Sequence, residues 1–208
     1  MTEFASGDDR LRHSSLTHLL TFVWAKSPFY RRLYAEHGIR EKDLPHVQIG
    51  ELPTITKQQV IAHFDELVTD PRIRRMDVET WLDQPPDPGA KYLDEYTVVK
   101  STGSSSGTSL IVYDTYAWKR MTASAAPLLW SQGVDGMRKV RNAYTIGQKD
   151  HVASAIMAAQ SSDICFERLV VGITNPFHQM VERLNTFQPD RLASYSSAIA
   201  WLADLQLA

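Results

Sequence analysis

The sequence predicts an α/β protein in which a helical N-terminal segment precedes a layered α/β sheet domain. Apolar residues recur at helical spacing early in the chain, whereas short β-like runs later alternate with helices of ten or more residues. Three prolines within 84–90 fix φ and remove backbone donors, so this stretch favours neither a helix nor a central strand. We therefore expect a mainly helical part over 1–90 and an α/β part over 91–208, whose sheet is at least partly parallel.

The N-terminal part carries signals for three helices. Apolar residues at helical spacing predict the first over 11–24, and it should end before Pro28 because proline disfavours a helical residue in front of it. A second helix is expected from Pro28 to His37, since the following Gly38 suits a left-handed C-terminal cap. Thr56, followed three residues later by a glutamine, forms a capping box that predicts a third helix through about Leu67.

The later part alternates between the two kinds of element. Strands are predicted at 96–99, 110–113, 140–146, 169–173 and 191–195, and helices at about 115–131, 151–160, 176–187 and 196–206. We expect Asp114 to cap the first of these helices, and Asn175 to cap a helix with Pro176 at its first position. The aromatic residues on apolar helix faces are expected in the core: Trp118, Trp130, Phe187 and Trp201.

Composition excludes several classes of function. The net charge of −2 and the pI near 6.4 leave no basic excess, so nucleic acid is not expected as a partner. Cys165 is the single cysteine, and the seven histidines lack the i, i+4 spacing of a helical metal site, so we expect neither a disulfide nor a metal site within the chain. Since no apolar run approaches the length of a membrane span, we expect a soluble, cytoplasmic protein.

One loop stands out as a candidate site for phosphate. Two glycines and many hydroxyl side chains lie between two β-like runs, in the segment Ser101, Thr102, Gly103, Ser104, Ser105, Ser106, Gly107 and Thr108. Glycines let backbone amides converge on an anion, and hydroxyls add donors without bulk. No lysine follows the last glycine, so the loop is not a Walker loop. A flexible linker is the alternative on composition alone, although the flanking strands weaken that interpretation.

The loop resembles the signature of the adenylate-forming superfamily, in the version found in phenylacetate-coenzyme A ligase and related proteins. Other segments share the resemblance: 27–32 with Gly38, 52–57, Gly133-Val134, and 189–192 leading to 194–198. The resemblance implies that the loop contacts the β- and γ-phosphates of ATP while AMP is transferred to a carboxylate, after which a thiol displaces AMP. Two positions depart from the signature, since Ser104 stands for a common glycine and Ser109 for a usual proline.

The resemblance covers only the earlier part of such an enzyme. The family's glutamate motif for adenine and magnesium, its ribose-binding aspartate and its C-terminal lysine have no match before Ala208. We therefore expect an N-terminal fragment without catalytic residues of its own and inactive alone, which would use ATP and Mg²⁺ held elsewhere. Its partners would be a carboxylic acid and coenzyme A or a carrier thiol. Exposed apolar faces could make it a homodimer. The alternative is a non-catalytic nucleotide-binding or interaction module with the same fold.

Three residues at predicted strand ends are candidates for an acyl pocket. Tyr144 and Gly147 lie where the resemblance places the start of that pocket, and Tyr195 follows another predicted strand. Ligands of α/β sheets bind beyond the carboxyl ends of the strands, which favours this role. The structural alternative is equally simple: Tyr144 would be a core or rim residue, and Tyr195 would end a strand before a helix capped by Ser196.

Overall fold

The computed structural model describes residues 3–84, 87–101, 107–124, 138–147, 151–160 and 166–207. The chain divides into two compact units, Met1–Thr80 with Gly103–Ser109 and Trp81–Thr102 with Leu110–Ala208. A domain boundary at residue 90 stays a prediction. None of the described helices is both long and apolar enough to cross a membrane.

The first unit is helical. Its helices are α1 (Glu3–Lys26), α2 (Pro28–Glu36), α3 (Lys57–Ala62) and α4 (Phe64–Leu67), followed by the start of α5 (Arg75–Asp83), with short 3-10 helices at Glu41–His46 and Ile49–Glu51. The core packs the buried side chains of α1 and α2 against those of the first 3-10 helix and the residue that follows it, namely Leu20, Phe29, Leu33, Tyr34, Leu44 and Val47. Burial of this apolar surface is the main stabilisation of the unit.

Side-chain caps fix where two of these helices begin. The Ser27 hydroxyl accepts from the Tyr30 N–H at the start of α2 and donates to the Glu66 carbonyl at 3.0 Å. The Thr56 hydroxyl accepts from the Gln59 N–H, and Gln59 accepts from the Thr56 N–H, which confirms the predicted capping box.

Three features of this unit differ from the sequence-based expectation. Helix α1 begins at Glu3 rather than at residue 11, because no proline interrupts the helical hydrogen bonds upstream. The helix predicted through Leu67 breaks at His63, which has φ −111° and ψ 25° and whose ring lies 5.4 Å from that of Phe29. Helix α5 was not predicted, because it offers a single buried residue, Val78, as an amphipathic signal.

The second unit contains two small sheets. Strands β1 (Thr97–Lys100) and β2 (Leu110–Tyr113) form an antiparallel pair, and α6 (Thr115–Ala123) follows, capped by Asp114. Strands β3 (Val140–Ile146), β4 (Phe166–Gly172) and β5 (Arg191–Ser194) form a parallel sheet in the order β4-β3-β5. One helix follows each of these strands in the chain: α7 (Ala153–Gln160) follows β3, α8 (Phe177–Phe187) follows β4, and α9 (Ser196–Leu207) follows β5. The predicted α/β fold class with a partly parallel sheet is confirmed.

The parallel sheet has helices on both faces. On one face, Ala143 and Val171 pack against Met180 and Leu184 of α8, with Leu202 of α9 beside them. On the other face, the alternate residues Tyr144 and Ile146 of β3 pack with Val170 against α7, as shown by the cluster that includes Val152, Ala155 and Ala158. Because successive side chains of a strand point to opposite faces, the residues of β3 divide cleanly between the two layers.

Helix starts and one core assignment in this unit also need correction. Pro176, with ψ 134°, is the N-cap of α8, so the helix starts at Phe177 and not at the proline. Helix α9 already includes Ser196, and the Tyr195 carbonyl accepts from the Ile199 N–H. Trp201 is 65% exposed and not a core residue, because its neighbour Leu202 is the residue of α9 that packs against the core of the sheet. Trp130 lies outside the described residues.

Candidate functional site

A cavity of about 670 Å³ lies in the second unit, over the face of the parallel sheet that packs against α7. Its walls come from α6, α7, the strands and the residue that follows β5. The lining residues are Lys91, Thr115, Trp118, Lys119, Thr122, Asn142, Tyr144, Ile146, Ser154, Met157, Gln160, Phe166, Ala193, Ser194 and Tyr195. The size is typical of a small-molecule site.

The strand register orders the cavity along β3. Asn142, Tyr144 and Ile146 alternate along the strand and therefore share the face that lines the cavity. Tyr144 pairs with Ala193 in the middle, and Ser194 of β5 pairs with Thr145 near the carboxyl end. Asn142 lies four residues before Ile146, which corresponds to about 13 Å along the strand. We call the region around Asn142 the distal end of the cavity and the region around Ile146 its strand-end side.

The walls are mostly apolar and rich in rings. Trp118, Tyr144, Phe166 and Tyr195 supply aromatic surface, and Met157 adds a thioether. Trp118 is 6% exposed, as expected for a core residue, and its indole N–H donates to the Gln160 side-chain carbonyl. Flat apolar groups bind well between aromatic walls, because ring contacts add to the free energy of area burial.

The distal end contains a buried amide with an unused acceptor. Asn142 is 7% exposed, and its amide N–H donates to the Tyr144 hydroxyl over a long 3.5 Å. Within the part of the chain that the structure describes, no donor lies within hydrogen-bond distance of Asn142 Oδ1. Buried polar atoms normally have a partner, so this oxygen is a candidate ligand contact.

Two lysines give the cavity a positive charge. Lys91 Nζ donates to the Thr115 hydroxyl at 2.9 Å, and that hydroxyl donates to the Glu95 carbonyl, so the ammonium group is held at the wall. Lys119 lines the cavity one helical turn after Thr115. No aspartate or glutamate is among the described lining residues. A cavity with cations and no carboxylates favours an anionic ligand.

The C-terminal end of the predicted phosphate loop lies in the first unit. Gly107 has φ +82°, and a Cβ there would lie 3.5 Å from Cδ1 of Ile61. Next to it, the Thr108 carbonyl accepts from Arg75 Nη2 at 3.1 Å, and the same guanidinium pairs with Glu79 at 2.6 Å. A positive φ explains the glycine, since side chains disfavour this conformation.

The structure brings together part of what the sequence predicted. Tyr144 and Tyr195 both line the cavity, whereas Gly147 follows β3 directly and is not among the described lining residues. Of the loop, Ser101, Gly107 and Thr108 are described, and the other predicted residues lie outside the described ranges: Thr102, Gly103, Ser104, Ser105 and Ser106.

Sequence reasoning missed Asn142, Lys91 and Arg75. Asn142 could have been found from strand alternation, because it stands two residues before Tyr144 in a predicted strand. Lys91 and Arg75 carry no comparable local signal. Arg75 reaches Thr108 from 33 positions away in the chain.

No protein-family model matches this chain, and no curated protein matches it.

Comparison with solved structures shows the fold. A structure of 2-hydroxyisobutyryl-CoA ligase with 2-HIB-AMP and CoA in the thioesterification state matches with a TM-score of 0.67 and 15% identity, covering 96% of this chain and 39% of that one. The open conformation of the same ligase with 2-HIB-AMP and CoA matches with a TM-score of 0.63 and 16% identity, covering 96% and 43%. The chain thus has the fold of a part of an adenylate-forming CoA ligase and spans about two fifths of that protein's length.

Proposed function

We propose that this chain is the N-terminal part of an ATP-dependent acyl or aryl acid ligase. The complete enzyme would convert a carboxylate to acyl-AMP and then to a thioester of coenzyme A or of a carrier thiol. The observation that carries the proposal is the fold shared with a CoA ligase over 96% of the chain. The loop and the other motif segments add the subtype, which resembles phenylacetate-coenzyme A ligase.

The cavity supports a role in holding the acid. Its strand-end side lies at the carboxyl ends of parallel strands, where α/β sheets place their ligands. We assign the reacting carboxylate to this side, near Ile146, Ser194 and Tyr195, and the apolar part of the acid to the walls beyond it. The charges of Lys91 and Lys119 attract the anionic acid into the site.

The described end of the Ser/Gly loop fits a contact with nucleotide phosphates. The positive φ of Gly107 turns the backbone, which is how glycine-rich loops direct amide N–H groups at an anion. Arg75 donates to the adjacent Thr108 carbonyl and pairs with Glu79, so it fixes the backbone at this end of the loop. ATP would supply the AMP group and pyrophosphate as the leaving group. The resemblance to the adenylate-forming superfamily implies Mg²⁺ as well, held by the family's later glutamate motif in another part of the enzyme.

Exchange between pyrophosphate and ATP in the complete gene product tests the proposal. We expect exchange that depends on a carboxylic acid, and we expect the present chain alone to form no acyl-AMP detectable by mass spectrometry. Gly107→Val should reduce the exchange about a hundredfold, because a β-branched residue at positive φ displaces the loop by an ångström or so. An exchange rate that is unchanged in Gly107→Val would exclude the assignment of this loop to the phosphates.

Gly38→Val is the matched control. Gly38 also has a positive φ, of +77°, but no atom lies within 4 Å of a Cβ placed there. The two variants therefore share the backbone strain, and only the first alters the loop. We expect Gly38→Val to lower the melting temperature while exchange per folded molecule stays near wild type. Nucleotide binding without any exchange would instead support the non-catalytic module.

A further inference from the structure

The buried amide of Asn142 is not explained by the packing around it. A carbonyl oxygen removed from water without a donor lowers the stability of the folded chain. A leucine, whose two methyl groups replace the amide oxygen and nitrogen, would fill a similar shape without that cost. The described residues around Asn142 Oδ1 offer no donor, while the side chain is 93% buried and lines the cavity. Such an atom is expected where a bound molecule provides the missing donor.

The neighbouring hydroxyl defines what that molecule must present. Tyr144 Oη accepts from Asn142 Nδ2, so its own O–H remains able to donate. Towards the cavity, Asn142 Oδ1 therefore offers an acceptor to a ligand, and the Tyr144 O–H offers a donor. A single hydroxyl group on the ligand satisfies both, since it donates to the amide oxygen and accepts from the phenol. A methyl ether satisfies only the second, and a hydrogen atom satisfies neither.

The position of the pair along β3 tells which part of the ligand carries the hydroxyl. Asn142 lies at the distal end, about 13 Å along the strand from the residue where β3 ends. A carboxylate bound at the strand-end side therefore places the far end of the acid at Asn142. Tyr144 lies between the two ends on β3, Phe166 lies beside the distal end because it pairs with Val140, and Trp118 also lines the cavity. Aromatic walls of this kind favour a flat ring over a short branched chain.

We propose that this cavity selects hydroxylated aryl acids, with Asn142 Oδ1 accepting from the ring hydroxyl and Tyr144 Oη donating to it. This inference rests on the proposed function for the identity of the carboxylate end. It adds the substrate class and a residue that determines it. Sites built to hydrogen-bond a hydroxyl discriminate strongly against analogues that lack it, because a buried polar group is then left unpaired.

Binding of small acids to the present chain tests the inference without any turnover. The probes are 4-hydroxyphenylacetate, 4-methoxyphenylacetate and phenylacetate, titrated by calorimetry and by tryptophan fluorescence. Trp118 lines the cavity and reports on its occupancy, and Trp118→Phe assigns the optical signal. We expect the hydroxylated acid to bind at least about tenfold more tightly than phenylacetate, because its hydroxyl gains hydrogen bonds to Asn142 and Tyr144 that phenylacetate lacks, and more tightly than the ether.

Substitutions at the pair separate this contact from general packing. Asn142→Leu should remove the roughly tenfold preference while affinity for phenylacetate stays within about threefold. Tyr144→Phe removes only the hydroxyl and should weaken binding of the hydroxylated acid alone. Asn185→Leu, at an exposed position of α8, is the matched asparagine control and should change none of the three affinities. The ligand series on the unaltered chain decides the matter even where a variant does not fold.

Several results would overturn the inference. Equal affinities for the three acids, tighter binding of the ether than of the phenol, or no binding of any of them at millimolar concentration would each do so. A uniform loss for all three acids in Asn142→Leu would make the residue a packing element. Failure of this inference is distinguishable from failure of the proposed function, because carboxylate-dependent exchange in the complete gene product with unhydroxylated acids would support the ligase and reject only the selectivity.

Discussion

Ser27 in the helical unit and Asn142 in the sheet unit are both buried polar residues, and they differ in one respect. The Ser27 hydroxyl uses both its hydrogen and its oxygen, to Glu66 and Tyr30, and its side chain is fully inaccessible. Asn142 is almost as buried, but Oδ1 has no donor among the described residues. The satisfied residue belongs to a closed core, whereas the unsatisfied one faces a cavity. A buried polar group thus contributes to stability in the first case and is available for a ligand in the second.

The largest expected effect concerns the closed core. Leu20 is 1% exposed in the cluster that holds α1 against α2, so Leu20→Ala should lower the free energy of unfolding by about 2–5 kcal/mol. Leu19, its neighbour, is 55% exposed, and Leu19→Ala should change it by less than about 0.5 kcal/mol. Urea unfolding followed by circular dichroism measures both. Equal losses would mean that α1 does not pack as described.

A smaller effect is expected at Ser27. Ser27→Ala removes the cap of α2 and leaves the Glu66 carbonyl without its hydroxyl donor, so we expect a loss of about 1–2 kcal/mol. Ser14 lies exposed on α1, and Ser14→Ala should not destabilise the chain. If the two substitutions gave the same midpoint in urea, Ser27 would not be a structural contact.

A pH-dependent contribution is expected from Asp190, which joins the beginnings of β3 and β5. The Arg138 guanidinium donates to both its oxygens at 2.7 and 2.8 Å, and the Arg141 N–H donates at 2.8 Å. These contacts, the arginine first, hold the pKa of Asp190 well below its usual 3.8. A lowered folded-state pKa stabilises the chain above the unfolded-state pKa, and this contribution disappears as the pH falls towards the folded-state value.

Unfolding midpoints measured between about pH 6 and pH 2 test this expectation. The unaltered chain should lose stability below about pH 4. Asp190→Asn should be less stable at neutral pH, and its unfolding midpoint should fall less steeply as the pH is lowered. Asp204→Asn, at an exposed position of α9, should keep the slope of the unaltered chain. If the midpoint of Asp190→Asn fell with pH as steeply as that of the unaltered chain, the loss of stability in acid would belong to other groups.

The smallest effect is expected at Asn142. Since Oδ1 gains no hydrogen bond within the described residues, Asn142→Leu should leave the free energy of unfolding within about 1 kcal/mol of the unaltered value or raise it. The same urea experiment that detects the loss in Ser27→Ala should therefore detect little here. A loss as large as that of Ser27→Ala would erase the difference between the two residues and would argue for an internal partner.

Local signals predicted most of the elements. The strands at Leu110–Tyr113 and Val140–Ile146 have the predicted bounds, because each ends directly before a residue that caps or turns the chain, Asp114 and Gly147. The capping box at Thr56 could also be predicted from the sequence, because its two hydrogen bonds join residues only three apart. The break at His63 was not, because ring packing against Phe29 overrides local helix propensity there.

The candidate site divides in the same way. By itself, the sequence determined a Ser/Gly segment between two strands and two tyrosines at strand ends, because composition and alternation act over a few residues. Only the tertiary structure decided that α6 and α7 wall a cavity over the face of β3 that carries Asn142 and Tyr144, and that Arg75 holds the Thr108 carbonyl. These contacts join residues far apart in the chain, and their partners are selected by packing, which leaves no local pattern in the sequence.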